Sequence, residues 1–319
     1  MEEEKKRAKP NIPHATSMYP VTDLKYYMDG YLKENCDEVP KFLKKAWDCV
    51  IIVSGSGKVR IGKSTLAMQI AYYEAYILNE IKKKSGEVPK DNPVPFGIDN
   101  VAFDPDELMK VAGRLPRNSV IVYDEGRAGL DSARAMENIN KSMQDFFQEC
   151  GQYGHIIIIV LPDFFKLQET IAVPRSLFLI NVYTDHNYNR GFFSFFSEHK
   201  KELLYIFGKK QFGSTAKYLS VKDNFHGKFT NYFPISEEDY GEKKRAAIKK
   251  KKKNRLELSW RNQRDYLFYI LKYKFEVTEE DIAKELKRFP DVKLARETVL
   301  RAITAVKKRL EAESWGDYS

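Results

Sequence analysis

Apolar and polar positions fall into blocks along this chain, and the block lengths predict most of its elements. Cys49 to Val53 is a β-branched run that reads as a buried strand. It feeds a glycine-rich turn and then a long helical pattern from Lys63 to about Lys84. A loop rich in Pro and Gly, 86–97, leads to a short predicted strand at Asn100–Phe103. Asp104 is then placed to cap a helix, Pro105 fits its first position and Glu107 follows three residues after the cap, so a helix is expected from Pro105 to near Gly113. Val120–Tyr123 is the next buried strand. A helix over Ser132–Cys150 follows, then a strand at Ile156–Val160, a break at Pro162, a short helix from Asp163 and a strand at Leu177–Tyr183. Strands alternating with helices predict a mostly parallel sheet covered on both faces.

Beyond Thr184 the pattern changes to Tyr, Phe and Ser segments split by turn residues. It predicts strands at Phe192–Phe196 and Leu203–Phe207, an antiparallel extension of the sheet. The first 45 residues are polar and Tyr-rich, with a candidate helix at Asp23–Leu32, and read as an N-terminal arm. After Tyr240 the charge changes abruptly: eleven Lys or Arg residues lie between Lys243 and Arg264, including the run Lys249–Lys253, which reads as a basic linker over 241–258. A small helical domain, 259–319, is expected to follow. Its first helix covers Asn262–Lys274. The second starts at Thr278, where Thr278 and Asp281 form a capping-box pattern, and presents Ile282, Leu286 and Phe289 on one face; the third presents Val299, Ile303, Val306 and Leu310 as one stripe.

At 319 residues the chain can hold one α/β core, placed at 46–240, and this smaller module. With 43% hydrophobic and 13% aromatic residues it has the composition of a folded protein. The longest apolar run, Ile156–Leu161, is far short of the roughly 20 residues that cross a bilayer, so no membrane span is expected. The charged stretch Met1–Pro10 lacks the apolar core of a secretory signal, which points to the cytoplasm. Cys36, Cys49 and Cys150 are widely spaced and odd in number, and read as reduced structural residues. A net charge of +9 favours a polyanionic partner.

The strongest chemical signal is Gly57-Lys58-Val59-Arg60-Ile61-Gly62-Lys63-Ser64, a complete G-x-x-x-x-G-K-[ST] pattern between a strand and a helix. Glycines allow the loop to turn successive N–H groups inward around phosphates, and the following helix adds the positive end of its dipole. Lys63 would meet the β and γ phosphates of ATP, Ser64 would ligate Mg²⁺ and Thr65 would lie near the α phosphate. Lys58 and Arg60 are extra loop cations that can touch phosphate or a neighbouring subunit. The second signal is the apolar strand Val120-Ile121-Val122-Tyr123 ending on Asp124 and Glu125. Asp124 would hold the Mg²⁺ shell as a Walker-B aspartate does, and Glu125 would orient and deprotonate the attacking water.

These motifs resemble the ASCE division of P-loop ATPases, over about residues 48–207. Within it the chain is similar to the DNA-translocating HerA and FtsK branch, which includes zonula-occludens-toxin-like and viral packaging ATPases. The branch likeness rests on the segment Tyr123-Asp124-Glu125-Gly126-Arg127, the helix with Arg134, Asn138 and Asn140, the strand His155–Leu161 and the sheet extension at Arg190–Phe207. HerA-type proteins end the strand after Walker B on a polar sensor, whereas this one runs into Leu161-Pro162-Asp163. The resemblance implies a P-loop three-layer sandwich, a homo-oligomeric ring such as a hexamer, and an arginine supplied by the next subunit. Candidates for that arginine are Arg175, then Arg127 and Arg134.

The three C-terminal helices resemble a helix-turn-helix or winged-helix domain, whose third helix would expose Arg296, Thr298, Arg301, Thr304, Lys307 and Lys308 to DNA. Lys249, Lys250, Lys251, Lys252 and Lys253 would add phosphate contacts. The expected function is an ATP-hydrolysing motor that translocates, packages or remodels duplex DNA. Two alternatives stay open: an AAA+-like DNA-assembled loader or transposition regulator, and a DNA-binding regulator switched by nucleotide. A nucleotide kinase and a terminase-style nuclease are disfavoured, the first for want of an arginine-rich lid, the second for want of clustered strand-end carboxylates after Thr184.

Overall fold

The fold is taken from a computed structural model, which describes residues 26–45, 49–55, 60–124, 144, 146, 153–211, 213–288 and 294–316. The chain divides into two compact units, Met1–Ala247 and Ile248–Ser319. The first is an α/β unit built on a seven-stranded mixed sheet of order β2-β3-β4-β1-β5-β6-β7. Its strands are β1 (Cys49–Gly55), β2 (Val101–Ala102), β3 (Val120–Asp124), β4 (Ile156–Val160), β5 (Ser176–Tyr183), β6 (Phe192–Phe196) and β7 (Phe225–Lys228). The first five are mutually parallel, and β6 and β7 extend the sheet antiparallel.

Helices α1 (Gly30–Leu43) and α2 (Lys63–Ser85) cover one face; α3 (Pro105–Arg114), α4 (Glu169–Ala172), α5 (Glu198–Gly208) and α6 (Ser214–Leu219) lie on the other. This explains why β1 and β4 are unbroken apolar runs. Ile51, Val53, Ile158 and Val160 pack among the residues of α1 and α2, while Val50, Ile52, Ile157 and Ile159 pack with those of α3 and α5. The arrangement is compatible with three layers. Among the described residues no helix is long and apolar enough to cross a membrane.

Four sequence expectations are corrected. The helix expected from Asp23 begins at Gly30, because the Asp29 carboxylate accepts hydrogen bonds from the Tyr31 and Leu32 amides and sets the start there. From Tyr26 onward the expected arm is part of the core: Tyr26, Met28, Leu32, Cys36 and Val39 are buried against α2 and the sheet. The strand expected at Leu203–Phe207 is the second half of α5. Lys201, Leu204, Tyr205 and Gly208 form its buried face, and Ile206 and Phe207 are left 44% and 46% exposed; a five-residue apolar run satisfies either period. The basic linker is helical, lying within α7 (Glu237–Phe275). No Gly or Pro occurs from Glu242 to Phe275, and repulsion among neighbouring lysines costs only a few tenths of a kcal/mol per pair, about what good helix formers recover. Finally β7 was not expected; it is short, and only alternate residues are half-buried.

Cys36 and Cys49 are buried thiols, while Cys150 and the helix expected over Ser132–Cys150 lie outside the described residues except at Gln144 and Phe146, which are helical. In the second unit the later part of α7 joins α8 (Glu279–Leu286) and α9 (Arg296–Gly316) around Phe268, Ile282, Val299, Ala302 and Ile303. Thr278 accepts the Asp281 amide and caps α8. Phe289 lies outside the described residues.

Lys201 links α5 to the turn that carries Arg175. Its buried ammonium donates to the carbonyls of Val173, at 3.0 Å, and Ser176, and to Ser176 Oγ at 2.7 Å. Burial lowers its pKa from the ordinary 10.5 to about 8. Between those values the unfolded chain holds a proton that the folded chain releases. Stability should therefore rise as pH increases from about 8 towards 10, while the cost of the buried charge is fully present below 8. Lys201→Met is expected to flatten that rise, and urea midpoints at pH 7.5, 9 and 10 for both proteins measure it.

Candidate nucleotide-binding site

Register brings the two motif strands to one edge of the sheet. Asp124 on β3 pairs with Val160 on β4, and Val160 pairs with Val53 on β1. At about 4.8 Å per strand, Asp124 lies roughly 10 Å from Val53, just before the turn into α2. In open parallel sheets the carboxyl ends of the strands are where loops gather ligands.

Gly57 and Lys58 lie outside the described residues. Beyond them Arg60 is exposed with φ of 58°, and Gly62 has φ of 99°, a left-handed conformation suited to glycine. Gly62 is the N-cap of the 23-residue α2, which has no side-chain cap, so its first amides are not met by a capping side chain. Lys63, Ser64 and Thr65 form the first turn and are half-buried. A Cβ added to Gly55 would sit 2.7 Å from Ile61 Cδ1, 3.0 Å from the Val182 carbonyl and 3.4 Å from Lys63 Cδ. The lysine stem thus lies back over the end of β1.

Tyr218 on α6 ties down the end of β1, a contact the sequence did not disclose. Its buried hydroxyl lies 3.0 Å from Ser54 Oγ, donates to the Gly55 carbonyl at 3.1 Å and accepts the Phe164 amide at 3.1 Å. From above, the Phe229 ring approaches to 2.8 Å of the place a Gly62 Cβ would occupy. Gln69 of α2 holds the residues next to it, donating to the carbonyls of Thr230 and Tyr232 at 2.9 and 2.7 Å.

At the other end of the site Asp124 is 3% exposed. The Lys244 ammonium lies 3.1 Å from its Oδ2 and 3.0 Å from the Tyr240 hydroxyl, which itself donates to Oδ2. The Ser64 side chain acts in the opposite sense to burial on the Tyr240 hydroxyl, lowering its pKa. Burial, and then the charge of Asp124, push the Tyr240 hydroxyl well above its ordinary pKa, so it stays protonated as a donor. Its ring packs edge-on against Phe103 and Phe233, with centroids 5.2 and 5.0 Å away. Lys243, one residue before Lys244, is 3.0 Å from Glu107 and donates to the carbonyls of Ile98 and Val101. Sequence reasoning missed all three. Tyr240, Lys243, Lys244 and Ala247 do follow a helical spacing, but that pattern was hidden in a segment taken for a linker.

Ser64, on the first turn of α2, and Asp124, at the end of β3, are hard oxygen donors. They fit Mg²⁺, which takes one or two protein oxygens and fills its octahedron with phosphate and water. Glu125, Arg127 and Arg134 lie outside the described residues. Arg175 is exposed, immediately before Ser176, which pairs with Val50 at the start of β1. It therefore sits at the opposite end of the strands from Gly62 and Lys63, roughly 20 Å of strand away, and is not brought together with its own chain's candidate site.

In the second unit Arg296, Arg301, Lys307 and Lys308 are exposed on α9, with Val299, Ile303 and Val306 buried on its other side. Two have acidic partners: Arg296 lies 3.3 Å from Glu280 and Lys307 lies 3.9 Å from Glu311. Lys249 and Lys250 are exposed on α7. The backbone of Lys251–Lys253 is helical and their side chains lie outside the described ones. Compared with protein-family models, with curated proteins and with solved structures, the chain found no match in any of the three.

Proposed function

We propose that the first unit is a P-loop ATPase of the ASCE type and that the chain is an oligomeric motor handling duplex DNA. The observation that carries the ATPase reading is the register just described. It sets a buried aspartate, at the end of β3, level with the strand that enters Gly62-Lys63-Ser64, and it seats β4 between the two motif strands. Lys63 and the α2 amides would bind the β and γ phosphates, Ser64 and Asp124 would hold Mg²⁺, and Glu125 would position water and take its proton. Mg²⁺ would offset phosphate charge there. Arg175, facing away from its own site, would serve a neighbouring subunit's nucleotide in a ring.

For the second unit we propose a winged-helix or helix-turn-helix-like DNA adaptor, supported by the one-sided charge of α9 and the lysines of α7. Deleting Leu256–Ser319 should cost affinity and sequence preference for duplex DNA, since a helix in the major groove reads base edges. Neutralising Lys249–Lys253 should cost affinity alone. If that run meets about four phosphates, the slope of log affinity against log salt becomes shallower by about 3–4 units. Titrations at two salt concentrations test both variants. Wild-type affinity and slope in each would assign this end of the chain to self-association or a protein partner.

A further inference from the structure

The first turns of α7 stand where the Mg²⁺ end of the proposed site should be. The Lys244 ammonium and the Tyr240 hydroxyl both engage Asp124 Oδ2. The buried carboxylate oxygen proposed for the metal is thus engaged by this hydroxyl, with a fixed positive charge beside it. Mg²⁺ bound at Asp124 would meet that ammonium at close range, with like charges in a buried setting.

We propose that Tyr240 and Lys244 form an autoinhibitory latch, which must leave Asp124 before Mg²⁺ and nucleotide can be held there; this rests on the ATPase reading above. The latch has its own anchor. Lys243 is tied to Glu107 and to the Ile98 and Val101 carbonyls, and the Tyr240 ring is seated between Phe103 and Phe233. These contacts fix the helix start onto β2 and α3 without touching the P-loop. Upstream, Phe229 lies against Gly62 and Gln69 grips Thr230 and Tyr232. The segment 229–244 is therefore a strap from the P-loop glycine to the aspartate at the far side of the site. A closed strap taxes binding by the fraction of molecules that are open, since the apparent dissociation constant is the intrinsic one divided by that fraction. Because only the cation competes directly for Asp124, the tax falls on Mg²⁺-nucleotide more than on nucleotide alone.

Two measurements on the full chain test the latch. The first is amide hydrogen exchange over 237–247 in the wild type, alone, with ATPγS and EDTA, and with ATPγS and Mg²⁺, alongside direct binding of a fluorescent ATP analogue. Faster exchange only with Mg²⁺ is expected. Bound nucleotide and Mg²⁺ with unchanged exchange in this segment would overturn the latch and leave the ATPase reading standing. Absence of any nucleotide binding would overturn that reading, and the latch with it. The second is the analogue's affinity for Lys244→Met and Tyr240→Phe. Each should bind it about tenfold more tightly with Mg²⁺, as for a latch open in about a tenth of molecules, and equally in EDTA. Weaker binding with Mg²⁺ in Lys244→Met would show that the ammonium assists the nucleotide, and would overturn the latch.

Discussion

Lys63→Ala is expected to reduce nucleotide binding and hydrolysis together, the latter by at least about 10²–10³-fold, the usual loss when one preorganised charge-stabilising donor is removed. Lys63 opens α2 with its stem folded over the end of β1. In the proposed site it is the residue that would meet the β and γ phosphates, and the dipole of α2 cannot replace a full charge. The substitution should leave the fold intact, because Lys63 is half-buried at a helix terminus and Ala suits a first turn. An unchanged melting temperature with lost fluorescence from an ATP analogue is the expected pair of results. Wild-type binding and turnover in this variant would remove the P-loop from the chemistry.

Glu125→Gln should separate binding from hydrolysis. The amide keeps the size of the side chain and cannot accept a proton, so turnover should fall by about 10²–10⁴-fold, the contribution of a positioned general base, with Mg²⁺-nucleotide affinity nearly intact. Asp124→Asn should act on the other quantity. Asp124 is buried at the strand end and proposed to hold the metal shell, so its loss should weaken the Mg²⁺ dependence of binding. It also removes the carboxylate that Tyr240 and Lys244 grip. Single-turnover hydrolysis and a Mg²⁺ titration on both variants distinguish the roles. The reverse pattern, with Asp124→Asn impairing only the chemical step and Glu125→Gln without effect, would exchange the two assignments.

What could be read from the sequence follows from how local each signal is. Strands β1, β3 and β4 announced themselves because both faces of a parallel sheet are covered, so every residue of Cys49–Val53 and Ile156–Val160 is apolar. The start of α3 was equally plain, since Asp104, Pro105 and Glu107 carry their capping chemistry within four residues, and the Asp104 carboxylate does accept the Glu107 amide at 2.8 Å. Leu203–Phe207 misled because a short apolar run has no period of its own; the deciding residue, Lys201, reads as a surface lysine until its partners on the Val173–Ser176 turn are known. Tyr218 and the trio Tyr240, Lys243 and Lys244 were illegible for a stronger reason. Their partners lie more than a hundred residues away in sequence, at Ser54, Asp124 and Val101, and no local pattern encodes such pairings. The lysine run looked like a linker by composition, although the absence of Gly and Pro after Gly241 already favoured a helix.

The most direct test of the ATPase claim is phosphate release from Mg²⁺-ATP by the purified full chain, with and without duplex DNA, against the Lys63→Ala protein as background. Release above that background, dependent on Mg²⁺ and increased by DNA, is the expected result. Release no greater than that of Lys63→Ala under either condition would contradict it.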